Sequence, residues 1–265
     1  MQFLMTPQKH GLGWVPDLPD QRDLLFEPAK TFGLGPVPGR VDLRHDCPEI
    51  YDQGQLGSCT ANALGAAFDF DRRKQGKDFM MPSRLFIYWN ERDMIGTVDS
   101  DSGAHIRDGV KVLRKLGTPP ETMWPYDIDT FTVKPSEPCY TEAEKNQALT
   151  YQRILRGGKD KTFDMRACLA WGYPFVTGIS VYESFESEQA AKTGKIPMPA
   201  PDERVLGGHA VLVVGFDDNT REFICRNSWG VDWGDKGHFY LPYDYLTDKG
   251  LSSDMWVIKT VELGV

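Results

Sequence analysis

The chain has 265 residues, 40% hydrophobic and 26% charged, enough for one large domain or two lobes around a sizeable core. Its 7 Trp, 10 Tyr and 14 Phe argue against disorder. The net charge of -8 argues against nucleic acid or an anionic membrane surface as partner, since the basic runs at 72–74 and 159–161 are short and sit next to acids. No apolar run approaches the roughly 20 residues of a membrane span. Residues 1–5 lack the charged start of a signal peptide, so cytoplasmic placement and export by a non-classical route both stay open.

Residues 1–40 read as an N-terminal arm. Gly13, Pro16, Pro19, Pro28, Gly33, Gly35, Pro36 and Pro38 forbid a long helix there. Trp14, Leu18, Leu24, Leu25 and Phe26 are its expected apolar anchors. Apolar spacing then predicts helices over 60–74, stopped by Gly76, over 82–94, and over 106–116, ended by Gly117. Ser58 is the expected cap of the first, which puts Cys59 in or near its first turn. Past about residue 150 a short helix fits 162–171, and β-rich runs fit 175–182, 210–216, 222–226, 237–241 and 255–261. A helical half precedes a mostly β half.

Three separated segments carry chemistry: Gln53-Gly54-Gln55-Leu56-Gly57-Ser58-Cys59, then Gly208-His209-Ala210, then Asn227-Ser228-Trp229-Gly230. A thiol at a helix start gains from the helix dipole, and an adjacent imidazolium adds to that, so Cys59 is expected to ionise readily. Asn227 can orient His209 as a carboxylate does in serine triads. His209 follows two glycines, which let another chain approach closely. Cys168 and Cys225 sit among apolar neighbours and read as core, while Cys47 and Cys139 are undecided. No metal-ligand spacing and no Gly-rich phosphate loop occurs, and no cofactor is expected.

The order Gln, Cys, His, Asn resembles that of the papain-like (C1 family) cysteine peptidases. Val41-Asp42-Leu43-Arg44 resembles the Val-Asp-Trp-Arg that opens their mature domain, 121–126 their Glu-x-x-Tyr-Pro-Tyr, and 227–237 their Asn-Ser-Trp-Gly-x-x-Trp-Gly-x-x-Gly. The resemblance implies an α+β papain-like fold in residues 41–265. A helical lobe (about 51–150) would face an antiparallel, β-barrel-like lobe (about 151–265 with 41–50), with the active site in the cleft between them. It implies Cys59 as nucleophile, His209 as base, Asn227 as orienting residue and Gln53 as oxyanion donor. Ser102, Gly103 and Ala104 would form the substrate-binding wall, and His105, Ile106, Gly208 and Trp229 would line the cleft.

Two departures stand out. Thr60 replaces the Trp usual after the nucleophile. Leu56 stands where secreted members carry a second Cys, so the framework disulfide is missing, as in bacterial-type members. The implied activity is hydrolysis of peptide bonds through an acyl-enzyme, with a peptide or protein as substrate. Acyl transfer or ligation by the same nucleophile, and a non-catalytic peptide-binding module, are the alternatives. The family's helical pro-region is replaced here by the short arm, which either lies in cis near the cleft or only stabilises the domain.

Overall fold

The computed structural model describes residues 10–27, 36–155 and 162–261. The expectations for residues 1–5 and 159–161, and for Pro28, Gly33 and Gly35, lie outside them. Strand β1 (Arg40–Asp42) precedes α1 (Cys59–Lys74), α2 (Arg84–Ile95), α3 (Ile106–Lys115) and α4 (Glu137–Ala143). Then come β2 (Ala148–Arg153), α5 (Phe163–Ala170), β3 (Phe175–Tyr182), α6 (Glu188–Thr193), β4 (Val205–Asp217), β5 (Glu222–Arg226), β6 (His238–Pro242), α7 (Tyr243–Thr247) and β7 (Ser252–Val261).

The strands form one antiparallel sheet in the order β2-β7-β3-β4-β5-β6, and β1 pairs with β4 off that path. The sheet is therefore open rather than a closed barrel. Strand β4 is its spine. Successive side chains of a strand face opposite sides, and here both sides are covered. Ala210, Leu212 and Val214 join the core beneath α1, α2 and α3, while Val211 and Val213 join a second core with α5, Phe185, Phe239 and Val257. That double burial explains the unbroken apolar run after His209.

Helix α1 is buried along most of its length, Cys59 through Asp71. Its N-terminus is built differently from the expectation. Ser58 makes no side-chain cap. Its Oγ bonds Tyr126 Oη at 2.5 Å, and Tyr126 Oη donates to the Gln53 carbonyl at 3.0 Å. Arg84 reaches Asn62 Oδ1 at 3.0 Å and the Asp52 carbonyl at 3.2 Å, and grips Glu121 through two bonds of 2.8 and 2.7 Å. The 121–126 motif thus ties the Gln53 loop to the start of α1. A side-chain cap is unnecessary once the loop itself is fastened.

All five cysteines are free, and Cys139, Cys168 and Cys225 are buried. No described helix is long and apolar enough to cross a membrane.

Candidate active site

The His209 ring is held by Asn227. Nε2 donates to Asn227 Oδ1 at 2.8 Å, and the same oxygen accepts the Ser228 amide at 2.9 Å, which fixes the orientation of the side-chain amide. Nδ1 is left as the proton-accepting nitrogen, buried and without a hydrogen-bond partner. Trp229 stacks on the ring, with centroids 4.7 Å apart, and keeps water from the His209–Asn227 bond. The amide of Ala210, the next residue in β4, reaches the Cys59 thiol. Strand β4 therefore brings the residue next to His209 to the thiol at the start of α1.

Gln53 is fully buried and oriented from both ends. Its Oε1 accepts Ser228 Oγ–H at 2.6 Å, and its Nε2 donates to the Leu56 carbonyl at 2.9 Å and the Gly11 carbonyl at 3.0 Å. Sequence reasoning gave Ser228 no separate role. No pattern in the sequence pairs a Ser with a Gln so far upstream. Thr60, at the position of the family's Trp, donates to buried Glu91 Oε2 at 2.7 Å. Burial pushes the Glu91 carboxyl well above its usual range.

The expected easily ionised thiol is absent from this arrangement. Burial pushes Cys59 up to about 11, only partly offset by the amides of Ala210, Gly13 and Thr60. Burial pushes His209 down to about 4, against the opposing pull of Asn227. Burial thus favours the neutral form of both groups. The physical reason is that something dry lies over them.

That cover is the arm. Trp14 N–H donates to the Gly208 carbonyl at 3.0 Å, Ala104 N–H to the Gly13 carbonyl at 2.8 Å, and Val15 N–H to the Ala104 carbonyl at 3.0 Å. His10 stacks on Trp229 at 4.2 Å. The Trp14 indole lies against Gly178 and Gly208, where an added Cβ would come within 1.9 and 2.3 Å of Trp14 atoms. The glycines before His209 do admit another chain, as expected. The wall is also met, since a Cβ on Gly103 would fall 2.1 Å from the Gly13 carbonyl oxygen. His105 Nδ1 lies 3.1 Å from the Val15 carbonyl oxygen. Ser102 is not brought in. It is exposed and bonds Thr97. Ile106 opens α3 inside the core.

Of the expected anchors only Trp14 and Phe26 are buried, at 8% and 3% exposure, whereas Leu18, Leu24 and Leu25 stand at 78%, 63% and 42%. Among the described residues, no His/Cys/Asp/Glu group has the arrangement of a metal site.

A family profile described as papain family cysteine protease matches residues 37–257. The chain belongs to the papain family of cysteine proteases. It is similar to an uncharacterized peptidase C1-like protein of Acanthamoeba polyphaga mimivirus, 43% identical over 95% of this chain and 87% of that protein. It also resembles the crystal structure of xylellain, a cysteine protease from Xylella fastidiosa. There the TM-score is 0.87 and the identity 43%, over 98% of this chain and 99% of the other. Cathepsin S of Mus musculus is 25% identical over 84% of this chain and 64% of its own length. The enzyme is a papain-like cysteine peptidase, and its fold is that of the family.

Proposed function

We propose that Cys59 cleaves peptide bonds through an acyl-enzyme. His209 Nδ1 takes the thiol proton as Sγ attacks the carbonyl carbon. The oxyanion receives the Gln53 Nε2–H and the Cys59 backbone N–H. Collapse breaks the C–N bond, and the imidazolium gives its proton to the leaving amine. Water then adds to the thioester with His209 as base, which releases the carboxylic acid and restores the thiol. The observation that carries this reading is the 2.8 Å bond from His209 Nε2 to Asn227 Oδ1, which leaves only Nδ1 to exchange a proton.

In the same reading residues 10–15 hold the enzyme shut in cis. The Gly11 carbonyl takes the Gln53 amide that an oxyanion would need, and Gly13 turns its N–H toward the sulfur instead of offering a carbonyl carbon. Removing this cover readmits water, so the thiol falls and the imidazole rises toward an ion pair.

Quenching a reaction with a peptide ester in acid and weighing the intact protein tests the mechanism. An acyl group on Cys59 is expected, absent from Cys59→Ala. Diversion of that acyl group by an added amine, in preference to water, would turn the reading to acyl transfer. Turnover without any covalent species removes it.

A further inference from the structure

The arm is gripped a second time, beyond the residues that cover Cys59. The Arg107 guanidinium donates from Nε and Nη2 to the two oxygens of Asp23 at 3.0 and 2.7 Å, and from Nη1 to the Leu18 carbonyl. Every hydrogen bond this guanidinium makes among the described residues goes to the arm. Arg153 bridges Asp23 Oδ2 at 2.8 Å and Asp254 Oδ1 at 2.9 Å. The other oxygen of Asp254 accepts the Asp17 amide at 2.7 Å. Asp17 in turn accepts from the Arg107 backbone amide at 3.2 Å and from Trp256 Nε1 at 3.0 Å. Backbone pairing completes the grip, with Arg153 N–H on the Leu24 carbonyl at 2.7 Å and Phe26 N–H on the Arg153 carbonyl at 2.8 Å.

We propose that Arg107, Arg153, Asp254 and Trp256 form a docking site for an acidic chain segment, filled by Asp17 and Asp23 of the arm, and that its occupation keeps residues 10–15 in the cleft.

Two features argue that the site is built for this purpose. Asp254 has a φ of +57° inside β7, beside a register shift between β3 and β7. Such backbone is uncommon outside glycine, though aspartate adopts it more readily than most residues, and it aims a nearly inaccessible carboxylate at the arm. Without the arm, Arg107 would lose all the hydrogen bonds of its guanidinium, and Asp254 and Trp256 would each lose a partner. The charges also fit. Emptied, the site holds two guanidiniums and one carboxylate, and the ionised Asp23 balances it. Asp17 would be a third carboxylate, and burial together with the Asp254 charge raises it to about 6.

The proposal rests on the occlusion reading above, and its test separates the two. Amide hydrogen exchange of Trp14, Val15 and Phe26, and the rate at which iodoacetamide labels Cys59, are followed in the full-length chain. Asp23→Asn is expected to speed exchange across the whole arm by on the order of 100-fold, leave the β3–β4 amides unchanged, and raise labelling in step. Asp17→Ala, which keeps Asp23, serves as the second variant and must open the arm in the same direction. Trp14→Ala is the control for the readout. If Trp14→Ala opens the arm and neither aspartate variant does, or if none of the three does, the docking site is wrong. If the aspartate variants free the arm and labelling does not rise, the docking site stands and the occlusion reading falls.

Discussion

The two halves of the arm meet the body by different means. Residues 10–15 meet the cleft mainly through backbone, with Gly11 and Gly13 where a side chain would collide. A Cβ on Gly13 would lie 1.7 Å from the Gly57 carbonyl oxygen. Residues 16–27 meet the body mainly through carboxylates, at Asp17 and Asp23. Both glycines are required where they stand, so the first half is set by close backbone approach. Buried charge pairs are intolerant of change, so the second half fits one partner. The part near the sulfur is fitted by close backbone approach, and the part beyond it is held by ion pairs.

The largest expected effect asks whether Cys59 is the group being covered. Cys59→Ala should lower peptide turnover by at least about 10⁴-fold while thermal melting is unchanged. Residual turnover near the wild-type rate would leave the arm guarding nothing.

Next comes Gln53→Ala, which should move two readouts in opposite directions. Loss of an oxyanion donor should lower kcat by about 100- to 1000-fold. Loss of the bond to the Gly11 carbonyl should speed labelling of Cys59 by iodoacetamide. Labelling and turnover falling together would mean that Gln53 does not hold the arm.

A smaller effect probes the indole. Gly178→Ala places a Cβ 1.9 Å from Trp14, so the ring must leave. Arm exchange should rise by roughly tenfold, and adding Trp14→Ala should contribute little more, because both changes remove one contact. Full additivity in that double-mutant cycle would show that Trp14 is held elsewhere.

The smallest is a pH dependence. Asp17 is faced by Asp254 and Trp256 of β7, by Arg107 of α3, and through Asp254 by Arg153 of β2. Its docked pKa of about 6 exceeds the ordinary 3.8, so the docked arm binds the extra proton. Docking therefore strengthens as pH falls from 6 toward 4 and weakens as it rises through that window. Arm amide exchange, corrected for its intrinsic pH dependence, should be a few-fold slower at about pH 5 than at about pH 6. Exchange that accelerates on acidification contradicts the assignment.

Much of this was legible in the sequence. The helix and strand cores fell where apolar periodicity and β-branched runs placed them, because those patterns report faces buried in any fold. Strand β2, with four of its six residues only partly buried, and the short helices α4, α6 and α7 gave no such signal. Cys59, His209, Asn227 and Gln53 stood out by their local motifs, and the structure links His209 to Asn227 and Gln53 to Ser228. Leu18, Leu24 and Leu25 were misjudged as anchors, since hydrophobicity alone does not say which side of an extended chain meets the body. Asp17 and Asp23 were passed over because an isolated aspartate in a loop is ordinarily solvated.

The sequence by itself determined the family and the order of elements, since each rests on residues close together in the chain. Tertiary structure alone decided that Ser228 orients Gln53, that Asp254 adopts a left-handed backbone beneath the arm, and that the thiol is buried. Each of these depends on groups distant in sequence meeting in a space without water. Desolvation belongs to the closed assembly, and no single segment carries it.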